Sequence, residues 1–234
     1  MSGLLSKEFS RTQPRFRHEY KYICDEMQLA IIEARIQTLL QLDSHTKQGF
    51  YVIRSLYFDN AYDKALFEKI NGTNPRAKFR IRIYNGSDDI ITLEKKVKVG
   101  ELTQKLQARL TREECDKITS GDIDWMLDDG RGVVAELYAQ MKGYALRPKV
   151  IVEYTRTPFI YKAGNVRVTL DCKIRSGVFS TDLFNPASIV ETGDMDVLGV
   201  KYDRFLPDII KMAIYPVAHD RESMSKYEVC RKFG

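Results

Sequence analysis

Basic and apolar side chains alternate along several segments of this chain. In the segment KFRIRI, Lys78, Arg80 and Arg82 occupy every second position, and apolar residues fill the positions between them. Because residues two apart in a β-strand point to the same face, this pattern predicts a strand with one basic face and one apolar face. The same alternation recurs in the segments 17–21, 92–98, 105–109, 166–171 and 200–203.

These strands are predicted to form an α+β fold, an antiparallel β-barrel of about eight strands with helices packed outside. A polar face in water is the ordinary interpretation of any single strand. Here the polar faces are mostly Arg and Lys, which would repel one another, and the apolar faces need cover that amphipathic helices can provide. A basic barrel interior is costly unless water or a polyanion occupies it. The pattern therefore favours a polyanion-binding barrel.

The predicted elements follow one another without a regular βαβ alternation, which favours antiparallel pairing. Neither a repeat nor a linker divides the 234 residues, so we expect a loose leader over 1–14 and one domain over 15–234. Strands are predicted at 15–24, 50–59, 76–84, 89–99, 102–110, 148–157, 165–173 and 196–203. Helices are predicted at 26–41, 61–70, 111–119, 131–143 and 206–213.

The overall composition sets only loose limits on function. The 37 Lys and Arg against 32 Asp and Glu give a net charge of +5, which permits an anionic ligand without indicating specific nucleic-acid binding. Four scattered cysteines and three histidines argue against a zinc site and suit a reducing compartment. The sequence has no apolar stretch of membrane-spanning length, so we expect a cytoplasmic protein.

A few acids share the basic faces. Glu19, Glu94 and Asp171 fall in register with the Lys and Arg residues of their strands. Such carboxylates can orient the bases, or they can hold Mg²⁺ or Mn²⁺, which prefer carboxylate oxygen.

Eight motifs, in this order, resemble those of the VTC domain, a polyphosphate-polymerase family grouped with the CYTH and triphosphate-tunnel proteins. They extend from about residue 15 to 228, and they are RHEYKY, SLYFDN, KFRIRIY, LEKK, VEYTRTPF, VRVTLD, LGVKYD and MSKY. The resemblance implies a tunnel that binds ATP and polyphosphate. It also implies transfer of the γ-phosphoryl group of ATP to a polyphosphate chain with help from Mn²⁺ or Mg²⁺, as in eukaryotic members.

The resemblance also assigns roles to individual positions. The basic residues that it places around the reacting phosphates are Lys21, Arg80, Arg82, Lys96, Arg156 and Arg167. Further phosphate-binding positions are Lys105, Tyr154, Lys201, Ser225 and Lys226. Positioning and charge neutralisation are what phosphoryl transfer mainly requires, and a cage of Arg and Lys supplies both.

The sequence departs from the family pattern where a metal ligand is expected. The family usually reads Leu-Glu-x-Lys where this chain has Leu198-Gly199-Val200-Lys201, and glycine has no side chain for coordination. The wider pattern Glu-x-Glu-x-Lys keeps only its second glutamate, Glu19. We name Glu19 and Glu94 as the substitute metal ligands to test.

Four functions remain open at this stage. The first is an ATP-dependent polyphosphate polymerase. The second, favoured by Gly199, is a non-catalytic module that binds polyphosphate or another phosphorylated ligand. A tunnel triphosphatase or nucleotidyl cyclase ranks lower because paired glutamates are missing. A nucleic-acid binder would need exposed aromatic residues beside the basic face, and core packing explains the aromatic residues here about as well.

Overall fold

Ten antiparallel strands form one sheet in the described part of the chain, and eight of them close into a barrel. The computed structural model describes residues 16–44, 46, 48–177, 180–186, 189–193, 195–215 and 225–232, so the leader predicted over 1–14 lies outside the described residues. The strands are β1 (Arg17–Cys24), β2 (Gln41–Leu42), β3 (Tyr51–Asp59), β4 (Arg76–Tyr84), β5 (Ser87–Val99), β6 (Leu102–Leu110), β7 (Arg147–Tyr161), β8 (Val166–Gly177), β9 (Val190–Glu191) and β10 (Asp196–Tyr202).

The barrel closes because β7 pairs with both β3 and β8. Around the ring the order is β7, β3, β4, β5, β6, β1, β10 and β8, and the two-residue strands β2 and β9 add to its edges. A closed antiparallel sheet leaves no long unpaired edge along these strands. The predicted α+β barrel of about eight strands is confirmed.

Six α-helices lie in the described residues and pack outside the barrel. They are α1 (Glu26–Gln37), α2 (Lys64–Ile70), α3 (Arg112–Ser120), α4 (Gly132–Gly143), α5 (Asp208–Ile214) and α6 (Lys226–Arg231). Helices α3 and α4 cover apolar side chains of β4, β5 and β6, while α1 and α5 cover those of β8 and β10. These two apolar clusters lie between the barrel wall and the helices, as the alternation predicted, and a third cluster joins the tunnel-lining Ile53, Tyr154 and Val197 to Tyr227 and Cys230 of α6.

The strand register brings the polar faces together inside the barrel. Across the β4–β5 pair, Arg80 lies opposite Glu94, and across β7–β8, Arg156 lies opposite Asp171. Across β1–β10, Glu19 lies opposite Lys201. Each pair joins a base to an acid on the interior face, so the register itself decides which charges meet.

Some element boundaries differ from the sequence prediction. Helix α1 ends at Gln37 rather than near 41, because Thr38 turns back to bond the Arg35 carbonyl and β2 then pairs with β7. Strand β5 begins at Ser87 because Asn85 and Gly86 both have positive φ and form the two-residue turn of a hairpin. Helix α6, at the Ser225-Lys226-Tyr227 segment, was not predicted.

The two longest helices, α1 and α4, have 12 residues each, so no helix of the described part reaches the length and apolarity needed to cross a bilayer.

Candidate functional site

A tunnel occupies the interior of the barrel. Two cavities, of about 370 Å³ and about 250 Å³, share seven lining residues and so form one passage. The larger cavity reaches Arg76 at the start of β4, and the smaller one reaches Tyr84 at its end. The passage therefore follows the full length of this strand.

Fourteen basic residues and only two carboxylates, Glu19 and Asp171, line this tunnel among the described residues. The basic residues are Arg17, Lys21, Lys69, Arg76, Lys78, Arg80, Arg82, Lys96, Lys98, Lys105, Arg156, Arg167, Lys201 and Lys226. Charges of one sign in a shared, partly dry space repel one another and attract a counter-ion of opposite sign. The tunnel is therefore built to hold an anion with several charges.

The structure brings together all the residues that the sequence assigned to phosphate binding. Those that line the tunnel are Lys21, Arg80, Arg82, Lys96, Lys105, Tyr154, Arg156, Arg167, Lys201, Ser225 and Lys226. Of the two acids named as substitute metal ligands, Glu19 lines the tunnel, whereas Glu94 is fully buried behind Arg80. Their roles toward a ligand remain predictions.

Glu94 holds basic side chains from two neighbouring strands. Arg80 Nε donates to Glu94 Oε2 at 2.7 Å, and Lys105 Nζ donates to Oε1 at 3.2 Å. Burial on its own would raise the pKa of Glu94, but Arg80, Arg82 and Lys105 lower that pKa well below its usual range. Glu94 is thus a carboxylate at neutral pH, with both oxygens bonded to cations.

Asp171 holds a similar pair. Arg156 donates to both carboxylate oxygens, at 2.6 and 2.7 Å, and Lys226 Nζ donates to Oδ2 at 2.6 Å. Burial opposes the charged form, yet Arg156 and Lys226 lower the pKa of Asp171. Helix α6 therefore delivers Lys226 into the tunnel wall by an ion pair with β8.

Glu19 completes the set of three carboxylates. Its Oε2 accepts a hydrogen bond from Lys96, and Lys201 Nζ lies 3.6 Å from Oε1. Burial on its own would raise the pKa of Glu19, but Lys96, Lys201 and Lys21 lower it well below its usual range.

Tyrosine hydroxyls fix further guanidinium groups. Arg80 Nη1 donates to the Tyr57 hydroxyl at 2.7 Å, and Arg167 Nη2 donates to the Tyr51 hydroxyl at 3.0 Å. The Tyr154 ring lies beside two cations, with the Arg156 guanidinium 5.1 Å and the Lys226 ammonium 4.7 Å from the ring centre. These contacts keep long basic side chains in one orientation before a ligand arrives.

The pKa lies below its usual range in four of the tunnel lysines, Lys21, Lys78, Lys98 and Lys201. Burial, together with Arg76, Lys96 and Lys69, lowers the pKa of Lys78 to about 7. Glu19 raises the pKa of Lys201, but burial and the surrounding cations outweigh it and bring this pKa to about 7. An anion beside these groups would favour their charged forms.

The tunnel carboxylates do not fit a divalent cation. Mg²⁺ and Mn²⁺ need carboxylate oxygens that point at the ion, but both oxygens of Glu19, of Glu94 and of Asp171 face Lys or Arg groups. The part of the chain that the structure describes contains no group of three or more His, Cys, Asp or Glu side chains suited to a metal.

Several lining residues were missing from the predicted site. Arg76 continues the alternation of β4 by one more step, so the same rule extended to the start of the strand would have found it. Lys69 comes from helix α2, and strand periodicity carries no signal for it. Tyr51 and Tyr57 were missed because the face of β3 on which they lie carries no Lys or Arg to signal the tunnel.

Comparisons with known proteins agree with this geometry. The model of the family described as the VTC domain matches residues 16–233. No curated protein sequence matches the chain.

Solved structures share the fold at low sequence identity. The proposed adenylyl cyclase HpAC1 from Hippeastrum, reported with a dominant triphosphatase activity, is 11% identical with a TM-score of 0.56, over 93% of this chain and 95% of that one. The PH1012 protein from Pyrococcus horikoshii OT3 is 16% identical with a TM-score of 0.50, over 91% and 98%. The PH1819 protein from the same organism is 13% identical with a TM-score of 0.50, over 93% and 99%.

Proposed function

Because this chain belongs to the VTC domain family, we propose that its tunnel binds linear phosphate chains, those of inorganic polyphosphate and of ATP. The observation that carries the proposal is the charge of the passage, to which the described residues contribute fourteen basic side chains and two carboxylates. Arg and Lys are the side chains best suited to phosphate oxygens. Cytoplasmic location and a single domain over 15–234 stay predictions.

The shape of the site favours a chain over a single phosphate group. Strand β4 covers roughly 26 Å from Arg76 to Tyr84, and basic residues border the passage from one end of this strand to the other. A compact anion would meet only a few of these charges, whereas an extended chain of phosphates meets many at once. We therefore expect affinity to rise steeply from orthophosphate to tripolyphosphate.

Calorimetry tests this proposal directly. Tripolyphosphate and orthophosphate are titrated into the protein, in buffer with EDTA and in buffer with Mn²⁺. We expect saturable binding of tripolyphosphate in at least one buffer and much weaker binding of orthophosphate. If neither buffer gives binding of tripolyphosphate, the proposed function is wrong.

A matched pair of variants on β5 separates the tunnel from the rest of the basic surface. Lys96 lines the tunnel and bonds Glu19, while its neighbour Lys95 points outward and bonds Glu136. A charge-assisted hydrogen bond to phosphate contributes roughly 1.5–3 kcal/mol, so Lys96→Ala should weaken tripolyphosphate binding about ten- to a hundred-fold. Lys95→Ala, which removes the same charge outside the barrel, should leave the affinity unchanged. Equal losses in both variants would mean that binding is not in the tunnel.

The more specific candidate is the family reaction, transfer of the γ-phosphoryl group of ATP to a polyphosphate chain. Family membership and the complete set of basic positions favour it, and the poor fit of the carboxylates to a metal ion weighs against it. Incubation with ATP and Mn²⁺, followed by gel analysis of polyphosphate, distinguishes a polymerase from a binding module. New polymer supports the polymerase; binding without polymer supports the module.

A further inference from the structure

The two carboxylates that line the tunnel in the described residues, and Glu94 behind Arg80, already have cationic partners. Glu94 and Asp171 bridge bases on different elements through hydrogen bonds of 2.6–3.2 Å, and Glu19 lies between Lys96 and Lys201. A divalent cation at any of them would have to displace a buried or half-buried Lys or Arg. Leaving such a charge unpaired is costly, so the ion pairs exclude a metal from these carboxylates.

The position where the family resemblance expects a metal ligand is crowded at the Cβ atom. Gly199 lies between Lys21 on β1 and Thr169 on β8. A Cβ atom at position 199 would lie 2.7 Å from Thr169 Oγ1, closer than non-bonded atoms approach, and this hydroxyl donates to the Gly199 carbonyl at 3.5 Å. The glycine and the threonine thus fit each other, and a side chain at position 199 would require the Thr169 hydroxyl to move.

Two lysine side chains lie at the same place, and both have a lowered pKa, that of Lys201 being about 7, so a phosphate oxygen beside them would favour their charged forms. Lys21 lies opposite Gly199 in the strand register and lines the same cavity, as does Lys201 two positions along β10. An ammonium group fixed in the wall can neutralise a phosphate oxygen as a bound cation would. The missing metal ligand is therefore matched by two lysines that a bound phosphate would keep charged.

From these observations, and resting on the proposed function, we infer that the tunnel binds phosphate chains with its own Lys and Arg groups and without a resident divalent cation. Free Mn²⁺ or Mg²⁺ then acts as a competitor, because the ion neutralises the phosphate oxygens that the tunnel would otherwise bind. A site in which a metal bridges protein and phosphate would instead need the divalent cation for binding.

The test compares the tripolyphosphate dissociation constants from the two calorimetry buffers. We expect binding in EDTA to be at least as tight as in excess Mn²⁺. If binding in Mn²⁺ is ten-fold tighter or more, or occurs only there, the inference is overturned and the proposed function stands. If tripolyphosphate binds in neither buffer, the proposed function and the inference both fail.

Electron paramagnetic resonance of Mn²⁺ gives a second readout that does not depend on activity. With protein alone, the signal of free Mn²⁺ should keep its full intensity, because the carboxylates are engaged by cations. A stoichiometric loss of that signal, itself abolished in Glu94→Gln or Glu19→Gln, would identify a metal site in the tunnel and overturn the inference.

Discussion

At the scale of single residues, Glu19, Glu94 and Asp171 each orient two basic side chains that come from different elements. Glu94 of β5 holds Arg80 of β4 and Lys105 of β6, and Asp171 of β8 holds Arg156 of β7 together with Lys226 of α6. Long basic side chains lose rotamer freedom when they bind a ligand. These hydrogen bonds already restrict the side chains in the free protein, so less conformational entropy is lost on binding. The acids therefore act as positioning residues for the bases.

Lys78 should make tripolyphosphate binding depend on pH near neutrality. Its pKa of about 7 means that the side chain loses its charge as the pH rises through 7, and affinity should fall with it. Its surroundings are Arg76, Lys96, Lys69, Asp59 and the Tyr227 ring. Lys78→Met should bind more weakly than the native protein at pH 6, and the difference should shrink by pH 9. Calorimetry at pH 6 and pH 9 measures this difference in affinity. An equal difference at the two pH values would contradict the proposed loss of charge by Lys78 near pH 7.

The same variant should gain stability when no ligand is bound. The pKa of Lys78 is lower in the folded state than in the unfolded chain, so its charge destabilises the fold below pH 7, and this penalty is relieved as the pH rises toward the unfolded value. We expect Lys78→Met to raise the free energy of unfolding by about 1 kcal/mol at pH 6 and by less at pH 9. Urea unfolding at the two pH values shows whether Lys78→Met has a higher or a lower free energy of unfolding than the native protein.

Restoring a glutamate at position 199 should succeed only with a second change. Gly199→Glu alone meets Thr169 Oγ1, whereas Gly199→Glu combined with Thr169→Ala removes the close contact. We expect measurable Mn²⁺ affinity in the double variant and little or none in Gly199→Glu, with Thr169→Ala alone as the control. Equal Mn²⁺ affinity of Gly199→Glu and the double variant would show that Thr169 does not limit the site.

At the scale of elements, the β7–β8 hairpin holds two of the tunnel arginines in place. Arg156 and Arg167 lie on its two strands, and the connection between them runs through Gly164. Gly164 has φ of +72°, and a Cβ atom there would lie 2.5 Å from the Phe205 carbonyl oxygen. This turn therefore requires glycine for its backbone angle and for its space.

Gly164→Ala should destabilise the fold more than an alanine at a glycine of similar φ. Gly72 has φ of +67° and nothing within 4 Å of its would-be Cβ, so Gly72→Ala carries only the backbone cost, about 1–2 kcal/mol. Gly164→Ala adds the clash, and we expect a total loss of about 3 kcal/mol or more. Urea unfolding of both variants measures the two losses in free energy of unfolding. Equal losses would show that the backbone at Phe205 moves away from the new methyl group without cost.

At the scale of the whole molecule, the barrel differs from an ordinary globular domain because its interior is mostly charged and two of its apolar clusters lie outside its wall. Apolar clusters lie between the barrel wall and the helices, and the interior carries the excess of basic charge. Stability comes from the outer layers, while mutual repulsion inside the tunnel works against it. A bound polyanion would remove that repulsion.

Salt and ligand should therefore act on the protein in related ways. Tripolyphosphate at a hundred times its Kd should stabilise the fold by about 2.7 kcal/mol, and NaCl should raise the Tm of the ligand-free protein by screening the repulsion. NaCl should also weaken tripolyphosphate binding. In a variant lacking Lys96 and Lys98, both salt effects should be smaller. A Tm that falls with NaCl, in calorimetric scans of the native protein, would contradict this account.

The sequence by itself determined which side chains of a strand share a face. Strand periodicity requires that residues two apart share a face, so Arg80 and Arg82 fall on one side of β4 whatever the rest of the chain does. Capping and turn residues likewise marked the start of α3 at Thr111 and the β4–β5 turn at Asn85. These signals are local, and local sequence is enough to read them.

Only the tertiary structure decided which charges meet. The pairing of Glu19 with Lys96 joins residues 77 positions apart, and that of Lys226 with Asp171 joins residues 55 positions apart. Such contacts follow from strand order, register and the docking of α6, none of which strand periodicity encodes. The same holds for Gly199: the sequence showed that a side chain was missing, and only the neighbouring strand showed that a Cβ atom at this position would make a close contact with Thr169 Oγ1.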